Sequence, residues 1–88
     1  MTTEPSLIVY PSDFPIKVFG ESHADFTQAI IEIMSLHDPE FKASSIEIRS
    51  SKSARYVSLT CTVRAVSREQ LDAIYQALTH HPLVKMAL

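Results

Sequence analysis

A βαββαβ sandwich of the α+β class, with a four-stranded antiparallel sheet and two helices on one face, is what the order of hydrophobic periods in this chain predicts. Three observations carry the prediction. Apolar residues alternate at a period of two in three stretches, they recur at three- and four-residue steps in two others, and capping or breaking residues stand at the joins. The 88 residues allow one domain, which by surface scaling buries roughly 60 to 65% of the surface its unfolded chain exposes.

Residues 1–12 carry Pro5 and Pro11 around Leu7-Ile8-Val9-Tyr10, and proline limits pairing, so this segment reads as an extended leader to a domain of residues 13–88. From Phe14 to Phe19, Ile16 and Val18 alternate with Lys17 and Phe19, the period of a half-buried strand that stops at Gly20. Ser22 and Asp25 have capping spacing, so a helix is expected to start there. Phe26, Ala29, Ile30, Ile33, Met34 and His37 give that helix one apolar stripe, and Asp38-Pro39 ends it. Ser45–Ser51 alternates Ile46 and Ile48 with Glu47 and Arg49. Tyr56–Ala65 alternates Val57, Leu59, Cys61 and Val63 with Ser58, Thr60, Thr62 and Arg64, so the two stretches predict an antiparallel hairpin. Ser67 and Gln70 have capping-box spacing ahead of a helix with Leu71, Ile74, Tyr75 and Leu78 on its apolar face, closed by His80-His81-Pro82. Pro82–Leu88 is the last strand, but with Lys85 its main polar residue the pattern does not assign its two faces.

Right-handed crossovers place the first and third strands in the middle of the sheet, the ferredoxin-like arrangement. The face away from the helices is then uncovered. It is expected to carry Lys17 and Phe19, Glu47 and Arg49, and Tyr56, Ser58, Thr60, Thr62 and Arg64.

Composition excludes several classes. With 45% hydrophobic and 20% charged residues the chain is ordinary for a globular domain. No apolar run approaches the ~18 residues of a membrane helix, the N-terminus lacks the regions of a secretory signal, and one cysteine makes no internal disulfide, so a cytoplasmic location without a membrane partner is expected. A formal net charge of −2 argues against a general nucleic-acid binder. The charge is nonetheless uneven: seven acidic side chains oppose Lys17 alone in residues 1–41, whereas seven basic ones oppose Glu47, Glu69 and Asp72 thereafter.

Gly20 is the single glycine and stands where the first strand turns into the first helix. Amides at such a turn hold anions, which makes Gly20, Glu21 and Ser22 a candidate small-ligand site, although Glu21 and Asp25 oppose an anion. The competing reading is that the turn needs positive φ or has no room for a Cβ. Cys61 falls on the inward side of a central strand, where a thiol packs as a small hydrophobe. His23, His37, His80 and His81 have no recognised metal-ligand spacing, and no nucleophile elbow or phosphate loop accompanies the serines. No catalytic residue, metal or cofactor is expected. The hairpin holds Arg49, Lys52, Arg55 and Arg64 around Tyr56, the one argument for RNA, but its strand offers Ser58, Thr60 and Thr62 where an RNA-recognition domain stacks bases on aromatics.

The run Tyr10-Pro11-Ser12-Asp13-Phe14-Pro15-Ile16-Lys17-Val18-Phe19-Gly20 resembles the opening of the bacterial YbeD-like family of uncharacterised proteins. Ser50-Ser51-Lys52, Tyr56-Val57-Ser58-Leu59-Thr60, Glu69-Gln70, Ile74-Tyr75, Leu78 and Val84-Lys85-Met86-Ala87-Leu88 are similar to that family's hairpin, second helix and closing strand. The chain departs from it at Ser53-Ala54-Arg55, where members often have glycine. The resemblance implies a cytoplasmic domain related in shape to ACT regulatory domains, with no established activity, and by analogy of fold alone a ligand near Gly20. The expectation is a non-enzymatic regulatory or interaction module that self-associates or binds another protein through Lys17, Phe19, Arg49, Tyr56 and Arg64. Phe19 and Tyr56 would be its anchors, and RNA binding by the basic hairpin is the alternative.

Overall fold

The computed structural model describes residues 9–88. Most of the expected leader, Leu7-Ile8 included, lies outside those residues. The elements run β1 (Ser12–Glu21), α1 (Phe26–His37), β2 (Glu47–Ser50), β3 (Tyr56–Ala65), α2 (Arg68–Thr79) and β4 (Val84–Ala87). They build one antiparallel sheet in the order β2-β3-β1-β4, with both helices on one face: the α+β, ferredoxin-like fold.

β1 is longer than the alternation from Phe14 to Phe19 indicates. β3 spans ten residues, so every β1 residue from Ser12, opposite Ala65, to Glu21, opposite Tyr56, has a partner, and the strand runs through Gly20 instead of stopping there. Pro15 sits in this central strand at no cost to the ladder. Its backbone nitrogen is on the β4 side, and pairing with β4 begins only at Lys17, which exchanges hydrogen bonds with Leu88.

α1 starts later than expected. Its N-cap is Asp25, with no side-chain cap, and Ser22 stays with the sheet, its amide donating to the Arg55 carbonyl at 2.8 Å as an extension of the β1–β3 ladder. α2 is capped as the sequence indicates, with Ser67 Oγ accepting from the Gln70 amide at 3.0 Å. β2 is reduced to Glu47–Ser50, since Ala43–Ser45 forms a 3₁₀ turn ahead of it.

The core is drawn from both layers. Phe26, Ile30 and Met34 of α1 and Leu71, Ile74 and Leu78 of α2 pack on Ile16 and Val18 of β1 and on Leu59, Cys61, Val63 and Ala65 of β3. Gly20 lies beneath Phe26. A Cβ there would stand 2.5 Å from the Leu83 carbonyl oxygen and 2.6 Å from Phe26 Cε1, and the backbone φ is not positive, so the glycine answers a shortage of room. The register also assigns the faces of β4: Val84 opposite Gly20 and Ala87 opposite Val18 face the helices, whereas Met86 opposite Phe19 faces away. The register shift between Phe19 and Gly20 makes β4 a bulged edge.

The β2–β3 turn carries the reverse situation. Ala54 has φ of 60°, and its amide donates to the Ser51 carbonyl at 2.9 Å. An alanine is thus held in the left-handed region that glycine occupies without penalty.

These two positions predict effects of opposite sign. Gly20→Ala is expected to cost about 2 kcal/mol through overpacking, and Ala54→Gly to stabilise by about 1 kcal/mol, both measured by urea denaturation. An unchanged midpoint for Gly20→Ala would show that the Phe26 ring and the Leu83 backbone both give way freely.

Candidate functional site

The residues expected on the uncovered face fall into rows across the sheet. Directly paired residues share a face, so Arg49, Ser58, Phe19 and Met86 form one row over all four strands. Glu47, Thr60, Lys17 and Leu88 form the next, and Tyr56 stands opposite Glu21 on the other side. Phe19 is half-buried among them, while Tyr56 is 46% and Met86 47% exposed. Phe19, Arg49, Ser50, Ser51, Tyr56 and Ser58, with Val57, line a depression of about 220 Å³. The Arg55 guanidinium lies 5.8 Å from the centre of the Tyr56 ring, within cation–π range. Among the described residues, Lys17, Arg49, Lys52 and Arg55 make no salt bridge.

Arg64 does not join this group. It lies six residues along β3 from Ser58, ~20 Å away at strand rise, and its guanidinium contacts Asp13 at 3.2 Å. Met86 and Leu88 do join it. Alternation could not place them, because β4 is apolar on both faces; the pairing to Phe19 and Lys17 does.

The geometry does not gather Gly20, Glu21 and Ser22 into an anion cradle. Gly20 faces the core, the Ser22 amide is spent on Arg55, and α1 begins only at Phe26. Glu21 is paired with Lys85 at 3.6 Å. Beside it a crevice of about 140 Å³ is lined by Glu21, Ser22, His23, Pro82, Leu83 and Lys85.

A polar junction lies at the opposite end. Asp38, 4% exposed, accepts from the Glu40 amide at 3.0 Å and from the Arg64 amide at 2.9 Å. That Arg64 N–H points to the β2 side of β3, where β2 has already ended, so a carboxylate takes the place of the missing strand. Gln70 accepts from Val66 N at 2.7 Å and donates to the carbonyls of His37 at 3.0 Å and Arg64 at 3.1 Å. In sequence Asp38 signalled only a helix stop and Gln70 only a cap.

The histidines are engaged locally. His37 and His80 donate through Nδ1 to the Ile33 and Gln76 carbonyls, while Nδ1 of His23 and His81 accepts from the amides of Asp25 and Leu83. Among the described residues, no three His, Cys, Asp or Glu side chains are grouped to hold a metal, and no helix is long and apolar enough to cross a membrane.

The family model described as protein of unknown function (DUF493) matches residues 5–88. A UPF0250 protein of Nitrosomonas europaea is 52% identical over 86 residues, 98% of this chain and 99% of that protein. Another, of a Janthinobacterium strain, is 58% identical over 83 residues, 94% and 91% of the two chains. The solution structure of HP0495 from H. pylori has a TM-score of 0.79 at 21% identity, covering 97% of this chain and 88% of that one. At that identity it speaks for the fold alone.

Cys61, wholly buried, yields a prediction. Burial pushes its thiol from the ordinary 9.0 up to about 11. The unfolded chain ionises this thiol first, so its contribution to stability is intact below pH 9 and is lost as pH rises towards 11. Urea midpoints should therefore fall over that range more steeply for the native sequence than for Cys61→Ala, and identical slopes would contradict it.

Proposed function

This chain belongs to the DUF493 family of proteins of unknown function, and from that premise we propose that it is a non-enzymatic interaction module that docks a protein partner on its uncovered sheet face. One observation carries the reading: Phe19, Tyr56 and Met86 form an apolar patch on that face, rimmed by Lys17, Arg49 and Arg55, which have no salt bridge among the described residues. An aromatic on an uncovered sheet buries much area in a contact, and cations around it select an acidic surface. A rigid four-stranded scaffold holds both aromatics without any loop having to order. The absence of an enzymatic role is supported by the placement of the reactive groups. Cys61 is buried with its thiol pushed up to about 11, and each histidine is tied to neighbouring backbone. The single, buried cysteine agrees with a cytoplasmic setting.

RNA binding is the second reading, favoured by one feature. Phe19 and Tyr56 occupy the two central strands on the same face, where RNA-recognition sheets stack bases.

Affinity capture from cells with the native chain and with the Phe19→Ala/Tyr56→Ala double variant tests both. The expected result is a protein retained by the first, lost by the second at unchanged circular dichroism, and indifferent to nuclease. Identical captured material overturns the docking face. Material that is nuclease-sensitive and released steeply by salt replaces the protein reading with the RNA one.

A further inference from the structure

We propose that β2 is a self-pairing edge, through which two copies of this chain join their sheets across a two-fold axis at Ile48. β2 lies at the end of the strand order and all four of its residues are exposed. Ile48 is 58% exposed although it faces the helix side and pairs with core residue Leu59. The direction of the backbone groups follows from the hairpin. The Ser51 amide donates to the Tyr56 carbonyl, so Ser51 and, by two-residue alternation, Arg49 and Glu47 turn their backbone groups to β3. Ile48 and Ser50 turn theirs outward, where this sheet offers no strand.

The side chains of this edge complement themselves. An antiparallel second copy centred on Ile48 lets each Ile48 exchange its N–H and C=O with the other, and it brings the two exposed isoleucines together. It also sets Glu47 opposite the partner's Arg49 and Arg49 opposite the partner's Glu47, in the closer, non-hydrogen-bonded pairs. Centring the axis on Glu47 or Arg49 would oppose like charges. A slip by one residue would place the helices of the two copies on opposite faces. What guards this edge is its shortness and two charged residues, and those two charges are of opposite sign. β2 has no proline and no bulge, whereas β4, the other edge, is bulged at Phe19/Gly20 and has Lys85 engaged with Glu21.

Two four-residue strands bury much less than the ~1,200 Å² of a stable complex, so the dimer is weak and reversible. It forms one eight-stranded sheet, and it doubles the uncovered face without covering it. The two readings share Arg49 but are separable, since Phe19→Ala/Tyr56→Ala leaves the dimer intact.

Sedimentation velocity over a wide concentration range, at low salt, tests the pairing by charge exchange. The native chain is expected to dimerise. Glu47→Arg or Arg49→Glu alone turns both symmetry-related attractions into repulsions and weakens the dimer about tenfold. The double exchange Glu47→Arg/Arg49→Glu restores it, and Ile48→Lys abolishes it, with circular dichroism reporting that each variant remains folded. A chain that stays monomeric up to millimolar concentration overturns the proposal. So does a dimer that ignores the single substitutions or is not restored by the double exchange.

Discussion

The absence of a side chain at Gly20 is what allows the first helix and the approach to the last strand to meet on the central strand together. The Phe26 ring and the Leu83 carbonyl both occupy the space that a Cβ would claim, 2.6 and 2.5 Å from its position. Phe26 opens α1, so the ring fixes where that helix comes down on the sheet, and Ile30 and Met34 follow it into the core one and two turns later. Leu83 leads into β4, so the same gap sets how closely the last strand joins β1. The shift in pairing between Phe19 and Gly20 occurs at this residue. A single small position thus couples elements from both ends of the described chain.

At the far end of the sheet the limiting problem is polar. β3 outruns β2, and its backbone groups beyond Thr60 would be left without a strand. The Asp38 carboxylate, delivered by the end of α1, accepts the Arg64 amide, and Gln70 bridges the Arg64 and His37 carbonyls. A buried amide left unpaired costs about 1–3 kcal/mol, so at Arg64 these side chains do what a longer β2 would have done.

How much of this is legible in the sequence depends on whether one period decides the matter. The elements and their order are legible because Ile16/Val18 and Leu59/Cys61/Val63 alternate cleanly, and the stripes through Phe26 and Leu71 have helical spacing. The uncovered face follows from the same alternation, which is why Phe19, Tyr56, Lys17 and Arg49 could be placed on it. Ends are less legible. The extension of β1 to Glu21 depends on the length of β3, and the failed cap at Ser22 depends on the Arg55 carbonyl, both distant in the chain. Asp38 and Gln70 were unreadable for the same reason, since local spacing says nothing of which amide lacks a partner. Arg64 shares a hairpin with Arg49, yet the length of a strand separates the two.

The pairing of β1 with β3 has a consequence for how the chain comes into being. Ser12 meets Ala65 and Glu21 meets Tyr56, so the central ladder joins residues far apart in the chain, and such topologies close slowly because the loop must be ordered before its contacts reward it. During synthesis β1 and α1 emerge first with nothing to pack against, since the sheet that receives α1 does not exist until β3 follows. The amino-terminal half is then a passenger with an amphipathic helix and an unpaired strand exposed to whatever else is in the cell. It gains shelter only once β3 has followed and the β1–β3 ladder can close, so the two halves of the domain fold together.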